Sequence, residues 1–194
     1  MKHLVKKQLA QSIATMQAVL ADETISETLV AIAELTANAL RTGHKLLVAG
    51  NGGSAADAQH LVAEFVVRLT DTRPALRAIA LTTDSSILTA CANDFGFDQI
   101  FARQIEALGQ PGDLFLGLST SGNSPNILNA LEQARKSGVT TIGFTGSGGG
   151  KMRDLCDHTI TIPSSVTMNI QESHLALEHI FCMLVECHYF EPKL

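Results

Sequence analysis

A chain of 194 residues can build one globular unit with a sizeable core and is short for two. Its net charge of −5, with no extended stripe of Lys or Arg, argues against a nucleic-acid partner. No apolar stretch reaches the length of a membrane span, and residues 1–20 carry polar and charged side chains throughout, so neither a membrane nor a signal peptide is expected.

Hydrophobic residues make up 45% of the chain, with no Trp and a single Tyr, so Ala, Leu, Ile and Val must fill the core. That mixture suits helices packed on a parallel sheet. Cys91, Cys156, Cys182 and Cys187 form no CxxC pair and sit in apolar segments. They read as buried, reduced thiols of a cytoplasmic protein.

Residues 4–20 are amphipathic, with Leu9, Ile13, Met16 and Leu20 forming an a/d seam. A break at residues 21–24 precedes a second helix, whose Ile25, Leu29, Ile32 and Leu40 lie near one face and which Thr42-Gly43 closes. These two helices can pack on their own sheet or join a bundle between subunits, and we favour the bundle. Lys45–Ala49 then reads as a buried strand. Gly50 to Phe65 follows as a glycine turn and a helix without Gly or Pro after Gly53.

Strands and helices alternate from there. Strands are expected over 77–81, 113–118, 140–145 and 158–162, and helices over 85–92, 99–108, 127–136 and 170–190. Repeated strand–helix units imply a parallel sheet covered on both faces. Ligands collect beyond the C-terminal strand ends of such sheets. Three polar loops fall there: Asn51–Ser54, Ser119–Ser124 and Thr145–Gly150.

The first loop presents backbone N–H groups at a helix start, which is how a phosphate is cradled without Lys. The second, Ser119-Thr120-Ser121-Gly122-Asn123-Ser124, supplies four hydroxyls where a helix cap needs one, so phosphate binding outweighs a simple Ser N-cap. There is no Walker A sequence and no GxGxxG, so a nucleotide is not implied. Thr145–Gly150 reads as a flexible turn. Asn93-Asp94, just past the expected helix end at Ala92, reads equally as loop capping or as a sugar-hydroxyl contact.

His60 and Glu64, spaced i, i+4, stack on one helix face. Alone they could be a polar surface stripe. The C-terminal helix, however, carries Gln171, Glu172, His174, Glu178 and His179 in an apolar background. His60, Glu64, Gln171 and His179 together would suit a divalent ion, with zinc favoured by the two imidazoles.

NGGSAADAQH at 51–60, AEF at 63–65, LTTDSSILTACANDFGF at 81–97, STSGNSPNI at 119–127 and IQESH at 170–174 resemble the sugar isomerase (SIS) domain family. More narrowly, the chain resembles the phosphoheptose isomerases of bacterial heptose synthesis, and the similarity spans essentially all 194 residues. The resemblance implies a three-layer α/β sandwich with a flavodoxin-like five-stranded parallel sheet. Residues 1–194 would form one SIS domain, with 1–42 as an N-terminal helical arm bundled in a homotetramer. It implies one zinc ion per subunit on His60, Glu64, Gln171 and His179. It implies substrate contacts at Asn51, Gly52, Gly53, Ser54, His60, Glu64, Asn93, Asp94, Ser119, Thr120, Ser121, Ser124, Gln171 and His179, and catalytic roles for Glu64 and His179. The substrate implied is a phosphorylated seven-carbon sugar. Many members carry Arg just before the IQE segment; this chain has Met168-Asn169, so no cation is carried over at that point. The competing expectation is a non-catalytic SIS protein that binds the replication initiator or senses sugar phosphates. Such a module needs the phosphate loops but not the acid–base set.

Overall fold

The structure is a computed structural model and describes residues 1–190. Five parallel strands make one sheet in the order β2-β1-β3-β4-β5. They are β1 (Leu46–Gly50), β2 (Ala78–Ala80), β3 (Leu114–Ser119), β4 (Thr140–Thr145) and β5 (His158–Thr161). This is the flavodoxin-like order expected. β1 and β3 are buried along their whole length, which is why they read as continuous apolar runs rather than alternating ones.

Side-chain alternation sends consecutive residues of β1 to opposite layers. Leu46 and Val48 join Leu114, Leu116, Ile142 and Phe144 in one core, whereas Leu47 and Ala49 join Phe115 in the other. The first core is closed by α2 (Glu23–Arg41), α3 (Gly53–Val66) and α7 (Thr167–Phe190). The second is closed by α4 (Ser85–Phe95), α5 (Ala102–Leu108) and α6 (Pro125–Lys136). The three layers follow.

Element boundaries depart from expectation in informative ways. α4 runs on to Phe95, so Asn93 and Asp94 lie in its last turn rather than in a loop. The helix expected over 99–108 is a single tight turn at Phe97–Gln99 followed by α5. α7 begins at Thr167, three residues early, and α6 begins at Pro125, whose ring favours the first helical turn.

The two N-terminal helices behave differently from one another. Asp22 separates α1 (Lys2–Ala21) from α2 and caps the latter, its carboxylate accepting from the Thr24 N–H at 3.0 Å. Ile25, Leu29, Ile32 and Leu40 of α2 are buried within the subunit. That face therefore packs on its own sheet and α7, not in a bundle between subunits. The α1 seam does not: Leu9 and Ile13 are each 58% exposed and Leu20 81%. α1 is held by Val19, buried in the first core, and by a polar tie. Asn169 of α7, buried, accepts from Gln8 Nε2 at 2.9 Å and donates to Thr15 Oγ1 at 3.4 Å. Asn169 is thus a structural tie between α7 and α1.

Candidate active site

The chain reverses its direction of progress across the sheet between β1 and β3, and the loops leaving these strands flank the crevice formed there. Asn51 and Asn126 join them with a reciprocal amide pair. Asn51 Nδ2 donates to Asn126 Oδ1 at 2.9 Å, and Asn126 Nδ2 returns to Asn51 Oδ1 at 2.8 Å. The Asn51 side chain is therefore occupied in holding the loops, and Asn126 is a site residue that the sequence reading missed.

In the second loop, Ser119 Oγ and Ser124 Oγ are hydrogen-bonded at 2.9 Å. Ser124 occupies the N-cap of α6, yet its hydroxyl makes no capping bond. It turns toward Ser119 instead, against the simple capping role. Ser121 Oγ accepts from the Asn123 N–H at 3.2 Å, and Thr120 is half-buried beside it.

Thr145–Gly150 is neither a loose turn nor a separate phosphate loop. It is a buttress for the serine loop. Gly146 N–H donates to the Thr120 carbonyl at 3.1 Å, Met152 N–H to the Gly122 carbonyl at 3.0 Å and Lys151 N–H to Asn123 Oδ1 at 3.1 Å. Gly122 has φ +63°, and a Cβ there would stand 2.0 Å from the Gly149 carbonyl oxygen, so no other residue fits. His174, fully buried on α7, holds the base of the buttress through Nε2 and the Thr145 carbonyl at 3.3 Å. Burial drives its imidazole down to about 4, the hydrogen bond opposing, so it is neutral at physiological pH.

α3 and α7 bring His60 and His179 together, with Glu64 beside His60. Phe65 and Phe181 stack between the two helices with centroids 5.8 Å apart. Toward the strand ends, the Nε2 atoms of His60 and His179 meet at 2.7 Å, with the rings edge to face. Glu64 Oε1 lies 3.6 Å from His60 Nε2, beyond hydrogen-bond length. Gln171 is hydrogen-bonded elsewhere. Its amide donates to Ser54 Oγ at 3.4 Å, and a Cβ on Gly53 would approach it to 2.7 Å. A side chain at position 53 would therefore push the Gln171 amide from its place. Asn93 and Asp94 bond to each other at 2.7 Å on the exposed end of α4.

Two imidazoles and a carboxylate on facing helices are donor types that fit zinc chemically. Among the described residues, no group of three or more His, Cys, Asp or Glu is already spaced to hold an ion. Behind the trio, Glu178 is buried with both carboxylate oxygens lacking a hydrogen-bond partner among the described residues. Burial, helped by the charge of Asp57, pushes its carboxyl up to about 8. Burial likewise raises Asp57, with His60 opposing.

The SIS domain family matches residues 9–146. The phosphoheptose isomerase of Aneurinibacillus thermoaerophilus is 48% identical over 193 residues, covering 100% of this chain and 98% of that protein. The chain belongs to the phosphoheptose isomerases of the SIS-domain family. The phosphoheptose isomerase of a Bradyrhizobium strain is 53% identical over 183 residues, covering 94% of this chain and 92% of its own. Among solved structures, phosphoheptose isomerase from Neisseria gonorrhoeae superposes with a TM-score of 0.89 at 40% identity, covering 95% of this chain and 98% of that one. The enzyme from Francisella tularensis gives 0.91 at 34% identity, with 94% and 96% covered.

Proposed function

We propose that this protein interconverts sedoheptulose 7-phosphate and D-glycero-D-manno-heptose 7-phosphate, the first step of nucleotide-activated heptose synthesis in bacteria. The observation that supports this reading is the approach of His60, Glu64 and His179 on the facing sides of α3 and α7, in a fold whose β3–α6 loop clusters serines. Full-length relatives of nearly half identical sequence carry the isomerase name, and nothing favours the non-catalytic alternative.

Aldose–ketose isomerisation moves a proton between C1 and C2 through an enediol(ate). It requires a base at the carbon, a proton donor and acceptor at the oxygens, and a grip on the distal phosphate. Glu64 takes the carbon-bound proton from one carbon and returns it to the other. Its carboxylate is not bonded to His60, which leaves it free to do so. His179 gives and takes the oxygen-bound proton. The phosphate lies at the N-terminus of α6, bound by backbone N–H groups and by the hydroxyls of Ser119, Thr120, Ser121 and Ser124. Asn51, Gly52, Gly53 and Ser54 line the opposite loop, and Asn93 and Asp94 offer polar groups to the sugar hydroxyls.

His60, Glu64, Gln171 and His179 would hold one zinc ion per subunit. When bound, it would supply positive charge that stabilises the enediolate. The exposed α1 seam, bordering an apolar groove of about 430 Å³ between α1, α2 and α7, supports assembly into a homotetramer. The four free cysteines suit a cytoplasmic location, and no helix among the described residues is long and apolar enough to cross a membrane.

The direct test is isomerisation of sedoheptulose 7-phosphate by the purified protein, followed by proton exchange at C1 and C2 in heavy water. Binding without turnover would sink the enzymatic reading.

A further inference from the structure

Every helix ends with carbonyls that find no partner inside it. In α3, two of these belong to the segment that carries the proposed base. The Glu64 carbonyl accepts from Arg73 Nη2 at 2.6 Å, and the Phe65 carbonyl accepts from Arg73 Nη1 at 2.7 Å. The same guanidinium turns toward α7. Its Nε donates to Glu186 Oε1 at 2.8 Å, and Nη2 stands 2.7 Å from that oxygen. The two side chains are only 6% and 12% exposed.

Glu186 follows His179 by two helical turns, so the two lie on one face of α7, about 10 Å apart along its axis. A buried ion pair is weak evidence of stability, because desolvation offsets much of the attraction. What distinguishes this pair is what it joins. One planar fork grips the backbone of the proposed base and, through Glu186, the face of the helix that presents its proposed partner. A lysine ammonium has no such fork.

We infer that Arg73 and Glu186 are positioning residues for proton transfer, fixing the end of α3 against α7 so that Glu64 and His179 keep their mutual placement. The inference rests on the roles proposed for those two residues. Neither Arg73 nor Glu186 touches the reacting atoms. Their effect is geometric, and a displacement of about 1 Å at a catalytic group can cost roughly a hundredfold in rate.

The test is the combined variant Arg73→Met/Glu186→Met in the full-length protein, assayed by calorimetry and by kinetics on sedoheptulose 7-phosphate. Exchanging both partners for apolar residues leaves no buried charge unpaired, although the Glu64 and Phe65 carbonyls lose the guanidinium, so Tm should fall by several degrees while the protein still folds. We expect kcat to fall at least about tenfold while KM changes less than about threefold, because the phosphate loop is untouched. Wild-type kcat in the folded double variant overturns the inference, since a purely structural pair would give that result. If the double variant does not fold, Glu186→Gln takes its place. It keeps the shape but weakens the grip, and an unchanged kcat there overturns the inference equally. Glu64→Gln, run alongside, separates the two readings. If it stays active, the role of Glu64 is what fails. If it is inactive while the folded double variant turns over normally, only the positioning role fails.

Discussion

His60 and His179 face each other through Nε2 atoms 2.7 Å apart, so one of those nitrogens carries a proton and the other accepts it. The two rings come from different helices and share this single hydrogen. As placed, each Nε2 is engaged by the other, so His179 would exchange a proton with a sugar oxygen, and either nitrogen would take up an ion, only once this contact opens. Glu64 stands beside the pair without being bonded to it.

The first expectation concerns that carboxylate. Glu64→Gln keeps the size of the side chain but cannot accept a carbon-bound proton. kcat should fall by at least about two orders of magnitude, the scale of a general base. The circular dichroism spectrum and assembly state should be unchanged. Turnover near the wild-type level would remove Glu64 from this role.

Zinc gives the second. Elemental analysis of protein purified without chelator should find about one ion per subunit, and His60→Ala should lose it. If the metal-free protein is fully active, the trio is an acid–base cluster and nothing more.

For the phosphate grip, Ser119, Ser121 and Ser124 are replaced together by Ala. Three hydroxyls are lost while the backbone N–H groups remain, at roughly 1 kcal/mol per neutral hydrogen bond. Sedoheptulose 7-phosphate should bind more weakly by several kcal/mol at most. Unphosphorylated sedoheptulose should be almost unaffected. Equal losses for both sugars would assign the loop to the sugar instead.

Much of this site was legible in the chain. Glycine turns after apolar runs mark strand ends, and a run of hydroxyls before a helix marks a polar loop at the next strand end, because both signals are local. The polar residues of α7 stood out against their apolar background for the same reason. The misses are contacts between distant segments. Asn126 reads as an ordinary residue of a helix start until it meets Asn51, and Arg73 as a loop cation until it meets Glu186, 113 positions away. The N-terminal helices show another limit. Apolar periodicity looks alike in α1 and α2, yet only α2 buries its apolar seam within the subunit. Periodicity reports that a face must be covered and not by what.

That difference sets the next expectation. Deleting residues 1–20 should leave the packing of α2 intact while removing the exposed seam. Light scattering should show smaller species, and Val30 and Ile180, 45% and 41% exposed at the vacated groove, should promote aggregation. A soluble, active tetramer after truncation would place assembly on the sheet unit and α7.

The acid side of the stability profile should carry the signature of His174. Its imidazole is held down to about 4 in the folded chain, from 6.5 when free. Between these values the unfolded chain binds the extra proton, so this residue makes stability fall as pH drops from about 6.5 to about 4, and then adds nothing further. Urea unfolding at several pH values should show that slope in the wild type and its reduction in His174→Gln. An identical slope in both would assign the acid sensitivity elsewhere.

The proposed phosphate site and proposed base belong to opposite layers of the sandwich: α6 is packed on one face of the sheet and α3 on the other. A bound sugar phosphate must reach across the edge of the sheet, from the end of one helix to the side of another. If both proposed roles hold, the separation of the two helix layers would set the length of carbon chain able to bridge them.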